Sequence, residues 1–284
     1  MPELAEVMIM SEYINTVTKG KVFKSVQKSK VTKVKTQIKL HKTLSGGFSI
    51  KAESKGKGLT LILFTSRDEL KISVAMGMTG NWAFVPTSEI PKHSHLMFHT
   101  TDGHTLCLVD VRRFAKWKLG EDNKRGPCPV KEHDKFFVKV CTAIENNVKL
   151  FDKPICEVLM DQKYFNGIGN YLRAEILYRA GVNPFVPAGS ARSSHPDILE
   201  LCKEIPEEAY VIGGGELKDW ENPYNRGYGR GRINRKMKKD IPHNFRDWLQ
   251  CYQKGLSVED SKGRKFWFDK KYQKSCNIYK KNIE

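Results

Sequence analysis

No stretch of about 18 apolar residues occurs in the 284-residue chain, and no charged-then-apolar leader opens it, so neither a membrane-spanning helix nor secretion is expected. Cys-x-x-Cys pairs are also missing. The seven cysteines are odd in number and irregularly spaced, which argues against a disulfide framework and equally against a zinc ribbon. Reduced thiols in a soluble, intracellular protein are expected. No segment repeats. Acidic residues are scarce, with 32 Asp plus Glu against 49 Lys plus Arg and a formal charge of +17. That excess favours a polyanion through direct attraction and counterion release, with nucleic acid ahead of a membrane surface. The length allows a substantial core, built as one large domain or two ordinary ones.

What is present begins with Met1-Pro2-Glu3-Leu4-Ala5-Glu6-Val7. Removal of the initiator methionine leaves Pro2 as a secondary amine. An α-amino group has an ordinary pKa of about 7.7 to 8.0, so part of it is neutral and nucleophilic near pH 7. Attack by such an amine on an aldehyde-level carbon gives an iminium ion, and Glu3 and Glu6 supply nearby carboxylates for proton transfer. The same residues also suit an ordinary helix start, with proline in the first turn and acids near the positive end. Leu4, Val7, Met10, Ile14 and Val17 recur at helical spacing and predict a helix over residues 3 to 17.

From about 21 to 118 the pattern turns to short β-rich runs separated by Gly, Ser, Asp and Asn: Val22-Phe23, Phe48 to Ile50, Leu59 to Phe64, Leu70 to Val74 and Thr105 to Val109. A β-sandwich is predicted to about residue 120. Residues 121–132, turn-forming and charged, read as an interdomain linker. From 133 to 284 a helical domain follows: Phe137, Val140, Ile144 and Val148 mark one helix, Ile155 to Met160 a short second, and Tyr171 to Ala180 a third that stops at Gly181. A further helix is expected to hold Phe245, Trp248, Leu249 and Tyr252, ahead of a β-prone stretch from Gly263 to Phe268. The fold class is therefore α+β. Ahead of that further helix, Gly213-Gly214-Gly215, Arg226 to Arg232 and the run Arg235 to Lys239 read as a mobile loop. It suits either base stacking and phosphate neutralisation or plain solvation.

Several constellations suit chemistry on a nucleic acid. In Asn166-Gly167-Ile168-Gly169-Asn170 the glycines admit a close backbone approach, and Asn170 is placed to cap the next helix with its amides toward a phosphate; tight helix turns use the same residues. Lys57 opens an apolar strand, where it suits a phosphate contact and would lower the pKa of a nearby amine, or is one more surface lysine. Gly77-Met78-Thr79-Gly80 and Asp110-Val111-Arg112-Arg113-Phe114 together resemble a wedge that fills the void left by an extruded base. Ordinary core packing is the competing reading of Met78 and Phe114. In His93-Ser94-His95 the two imidazoles lack an accompanying ligand set, so no metal is assigned; His93 is read as a phosphate contact and His95 as structural.

Taken in order, Pro2-Glu3, Lys57, Gly77 to Gly80, Asp110 to Phe114 and Asn166 to Asn170 make the whole chain similar to the formamidopyrimidine-DNA glycosylase and endonuclease VIII family of DNA repair enzymes. Pro154 to Glu157, Asn170 to Arg179, Phe245 to Tyr252 and Gly263 to Phe268 resemble its animal endonuclease VIII-like branch. The resemblance implies a helix-two-turns-helix domain, damaged DNA in a basic cleft between two domains, and a bifunctional glycosylase that excises oxidised bases and cuts by β,δ-elimination. Pro2 would attack C1′, Glu3 protonate the ring oxygen, and Lys57 bind phosphate. Met78, Arg112 and Phe114 would form the wedge, with Arg113 and Asn170, and Gly169 beside it, on backbone phosphates. Most of the family ends in a four-cysteine zinc finger, whereas this terminal region holds only Cys251 and Cys276. It therefore resembles the zincless form: a hairpin within about 245–276, held by packing of Phe266, Trp267 and Phe268, with Arg264 as its arginine. No cofactor is implied. The protein is expected to act as a monomer on duplex or single-stranded DNA, in the nucleus or another DNA-containing compartment in a eukaryote. Oxidised pyrimidines and hydantoins are the expected substrates; oxidised purines, or silent DNA or RNA binding, are the alternatives.

Overall fold

The computed structural model describes residues 2–32, 34, 46–215 and 244–283. The Arg226 to Arg232 and Arg235 to Lys239 stretches lie outside the described residues. The chain divides into two units, the first holding residues 1–123 and 213–229, the second 124–212 and 230–284. The expected linker, 121–132, is split at this boundary, and Gly126 is already bonded into the second unit through its N–H to the Gln162 carbonyl (2.9 Å).

The first unit contains α1 (Leu4–Val17) and eight described strands: β1 (Phe23–Lys28), β2 (Ser49–Lys55), β3 (Gly58–Phe64), β4 (Glu69–Ala75), β5 (Asn81–Pro86), β6 (Ser94–Thr100), β7 (His104–Val109) and β8 (Lys116–Leu119). They form two antiparallel sheets, in orders β1-β6-β7-β5 and β2-β3-β4-β8. Strand β2 alternates strictly, burying Ile50, Ala52 and Ser54 and exposing the residues between, as a sheet with one covered face requires. The helix buries Leu4, Val7, Met10 and Ile14 and runs along two sheet edges. Unpaired edge groups invite a foreign strand. Here the Asn15 amide occupies them at β2, accepting from Ala52 N–H (2.7 Å) and donating to Ala52 O (2.9 Å), while Tyr13 Oη accepts from Phe84 N–H of β5 (3.0 Å).

The second unit contains α2 (His133–Glu145), α3 (Ile155–Val158), α4 (Asn170–Arg179), α5 (Ala188–Ser194), α6 (Ile198–Val211), α7 (Phe245–Trp248), the hairpin β9 (Leu256–Glu259) and β10 (Lys265–Phe268), and α8 (Gln273–Ile283). Helix α4 stops where Gly181 adopts φ 64° and Val182 N–H returns to Leu177 O (3.1 Å), the Schellman closure expected at that glycine. Two expected helices are shorter than their periodicity. Asn147, at φ 51°, ends α2 before Val148. Helix α7 ends at Trp248, excluding Leu249 and Tyr252, because the buried Glu175 carboxylate takes the N–H groups of Gln250, Cys251 and Tyr252 that a continuing helix would use.

Candidate functional site

Strand register gathers the first unit's candidate residues at one end. Thr18 bonds to Ile50 O, and Ser11 and Asn15 to Ala52 O, so α1 runs antiparallel to β2. Twelve helical residues from Asn15 back to Glu3 span about 18 Å, and five extended residues from Ala52 to Lys57 about 17 Å, so the helix start and the β2–β3 turn reach the same level. That turn is Gly56-Lys57, with Gly56 at φ 56° in the first central position, as a type II′ hairpin demands. Its next residue, Gly58, pairs with Ala75 at the end of β4, and Ala75 pairs with Lys116 at the start of β8. The 76–80 loop and the 110–115 loop therefore leave from this same end.

Pro2 and Glu3 are buried and Lys57 is half-buried. Glu6 is fully buried, and both its oxygens are engaged: Oε2 accepts Glu3 N–H (2.8 Å) and Oε1 accepts Gly215 N–H (2.7 Å). In this arrangement Glu6 fixes the path of the chain at the amine and ties it to Gly215. Gly214, at φ 73°, has no room for a Cβ, which would lie 2.9 Å from Glu6 Oε1.

Met78 and Phe114 are 40% and 44% exposed, so the core-packing reading of these residues fails. The two loops are joined. A Cβ on Gly77 would lie 2.7 Å from the Phe114 carbonyl carbon, and the Arg112 guanidinium sits 5.0 Å over the Phe114 ring. Beneath them lies Asp110, fully buried: Oδ1 accepts Thr79 Oγ1 and Arg112 N–H (3.2 Å), and Oδ2 accepts Ala115 N–H (2.6 Å). Arg113 is exposed in the left-handed region at φ 58°, with its N–H on Asp110 O (3.3 Å). His93 is half-buried, its carbonyl accepting from Asp110 N–H (3.0 Å); His95 is buried with Nε2 2.9 Å from Asp110 O. Asp110 thus organises the wedge loops, a role that its place in the motif does not reveal.

In the second unit, Gly169 is the N-cap of α4 and carries no side-chain cap; Asn170 is the first helical residue, which corrects the expectation that it caps the helix. Its amide is used otherwise, Nδ2 donating to Lys265 O of β10 (2.8 Å) and Oδ1 accepting from Arg173 Nη2 (2.7 Å). Arg264 is half-buried in the turn between β9 and β10 and bonds to Asp260. Phe266 and Phe268 are buried, whereas Trp267 is only half-buried and packs on Tyr252 at 4.5 Å between centroids. Among the described residues no group of three or more His, Cys, Asp or Glu side chains is gathered as a metal would need. Burial pushes the Cys251 thiol up to about 12 and raises that of Cys276, away from the thiolate that binds zinc. Elemental analysis of the purified protein is expected to find no stoichiometric zinc, with strand cleavage intact in chelator; one zinc per chain would contradict this. Among the described residues no helix is long and apolar enough to cross a membrane.

Residues 1–117 match the family model described as the formamidopyrimidine-DNA glycosylase N-terminal domain. The chain is 35% identical over 303 aligned positions to Endonuclease 8-like 1 of Homo sapiens, covering 94% of this chain and 72% of that protein. The identity to Endonuclease 8-like 1 of Mus musculus is also 35%, with the same coverage. Among solved structures, the wild-type Lactococcus lactis Fpg in complex with DNA containing an oxidized pyrimidine superposes with a TM-score of 0.73, at 22% identity, over 94% of this chain and 98% of that one.

Proposed function

The chain belongs to the formamidopyrimidine-DNA glycosylase and endonuclease VIII family of DNA glycosylases with abasic-site lyase activity on oxidised bases, and from that premise we propose how its own residues perform the reaction and on which bases. Pro2 nitrogen attacks C1′ of the damaged nucleotide, the glycosidic bond breaks, and the base departs with its bonding electrons and takes up the proton that the amine gives up. Glu3 gives a proton to the sugar-ring oxygen as the ring opens. The resulting iminium draws electrons from C2′, whose proton is lost as the 3′ phosphate leaves; a second elimination, with loss of the C4′ proton, expels the 5′ phosphate, and water then hydrolyses the remaining iminium to free Pro2. Lys57 holds phosphate at this site and assists elimination. Glu6, fully bonded to backbone amides, holds the amine's geometry. Met78, Arg112 and Phe114 fill the place of the extruded nucleotide, and Arg113, His93, Gly169, Asn170 and Arg264 lie along the phosphate backbone.

The observation that carries this reading is the register that brings Pro2, Glu3, Lys57 and both wedge loops to one end of the first unit. Oxidised pyrimidines and hydantoins are the proposed preferred substrates, supported by the chain-long likeness to endonuclease VIII-like proteins. The test is borohydride trapping on duplexes carrying these lesions or 8-oxoguanine. Reduction should give a covalent adduct whose modified peptide begins at Pro2; an adduct on a lysine would sink the assignment. Phe114→Ala should slow excision from duplexes more than from single strands, where little stacking is lost. Equal losses on both substrates would remove the wedge role.

A further inference from the structure

The turn joining β9 to β10 contains a carboxylate with no acceptor capacity to spare. Asp260 Oδ1 accepts the N–H groups of Lys262 and Arg264, both at 3.0 Å. Its Oδ2 accepts Arg173 Nη1 and Arg264 Nε, both at 2.9 Å. The Asp260 and Arg173 side chains are 1% and 0% exposed. Burial pushes the Asp260 carboxyl up, but the Arg173 hydrogen bond, the Arg264 N–H and the Arg173 charge together hold it below its ordinary value, so it is ionised at neutral pH. Arg173 is itself immobilised. It donates to Cys156 O (2.9 Å) and to Asn170 Oδ1 (2.7 Å), and lies 4.7 Å over the Phe266 ring.

A buried ion pair adds little net stability over apolar packing of the same volume, and Phe266 and Phe268 already pack this hairpin. What the pair supplies is geometry. With Nε fixed on Asp260, the Nη edge of Arg264 is left as a planar fork without a hydrogen-bond partner among the described residues. Through Arg173 the same carboxylate is linked to Asn170. We propose that Asp260 is a positioning residue: clamped by Arg173, it aims the free edge of Arg264, in register with Asn170, at the phosphates flanking the damaged nucleotide. In this fold the carboxylate does for the hairpin what bound zinc does in a finger. The inference rests on the reading of Arg264 as a DNA contact.

Asp260→Asn tests it, because either orientation of the amide sets an N–H₂ donor against two donors that now share a carboxylate oxygen. Single-turnover excision of 5-hydroxyuracil from a duplex is measured for the parent, Asp260→Asn, Arg264→Ala and the double variant, with thermal melting as the check on folding. Each single variant should lose about tenfold or more, the scale of misplacing a contact group. Each should also lower the slope of log affinity against log salt by about 1. The double variant should be no slower than Arg264→Ala. Should Asp260→Asn fail to fold, Asp260→Glu keeps the charge against Arg173, shifts the carboxylate by one methylene and must show the same non-additivity. A parental rate for the Asp260 variant, or losses that multiply in the double variant, would overturn the positioning role. An unchanged rate and salt slope for Arg264→Ala would overturn the reading of Arg264 as a DNA contact, and the proposal with it.

Discussion

A chain that retains Met1, or carries any residue ahead of Pro2, is expected to show no measurable base excision while binding damaged duplex with near-parental affinity. In the free amine the proline nitrogen has an available lone pair. Once acylated it is an amide nitrogen whose lone pair is shared with the carbonyl, and it is no longer a nucleophile. The fold should not change, since Leu4 onward is held by α1 packing on the sheet edges and by the Glu6 bonds to Glu3 and Gly215. Mass analysis of the N-terminus beside single-turnover kinetics decides it: full activity in a population that keeps Met1 would end the role of Pro2.

Glu3→Gln should then separate the two halves of the reaction. It removes the proton donor for ring opening, an acid–base contribution worth about 10²- to 10⁴-fold. A pre-formed abasic site has already lost its base and exists partly as the open aldehyde, so strand cleavage there should survive. Equal losses on damaged base and abasic site would show that Glu3 serves the fold and not the proton.

The parts of this molecule that sequence reveals are those set by local pattern. Strands β3 and β4 are legible because apolar residues cluster over most of the strand length, and α1 because Leu4, Val7, Met10 and Ile14 repeat on one face, whereas of β2 only Ser49 and Ile50 fall within the expected run and its charged Lys51, Glu53 and Lys55 hide the rest. Strand β8 is not legible, since Trp117 is its only buried residue among two lysines and a leucine. Helix α6 carries Pro206 inside it, which breaks the local signal that tertiary packing of Ile198, Leu199, Cys202, Ile205 and Ala209 overrides. The same limit applies at the sites. Motif order groups Pro2, Lys57 and the wedge residues, but the groups that hold them are paired at long range. Glu6 meets Gly215 across 209 positions, and Arg173 meets Asp260 across 87. No periodicity connects such partners, and a buried carboxylate looks in sequence like any surface acid.

Glu175 is another group of that kind, and Glu175→Ala is expected to destabilise the protein by about 2 kcal/mol or more, because the buried Cys251 N–H left without its acceptor costs about 1 to 3 kcal/mol and the partly buried N–H groups of Gln250 and Tyr252 add to it. Its side chain is fully buried. Oε1 accepts from Cys251 (2.9 Å) and Tyr252 (2.8 Å), and Oε2 from Gln250 (2.9 Å), so one carboxylate takes three successive amides of the bend between α7 and β9. Arg179, one turn along α4, lies 3.7 Å away and spans to Glu208, to Trp248 O (3.1 Å) and to the Trp248 ring at 4.5 Å. Removing the carboxylate orphans three amides and leaves the Arg179 charge less compensated. The loss should appear as a lower urea midpoint and as faster hydrogen exchange at residues 250–252. Glu175→Gln, which keeps one acceptor, should fall between the two. A loss below about 1 kcal/mol for the alanine variant would mean that aromatic packing alone holds this bend and that the carboxylate is dispensable.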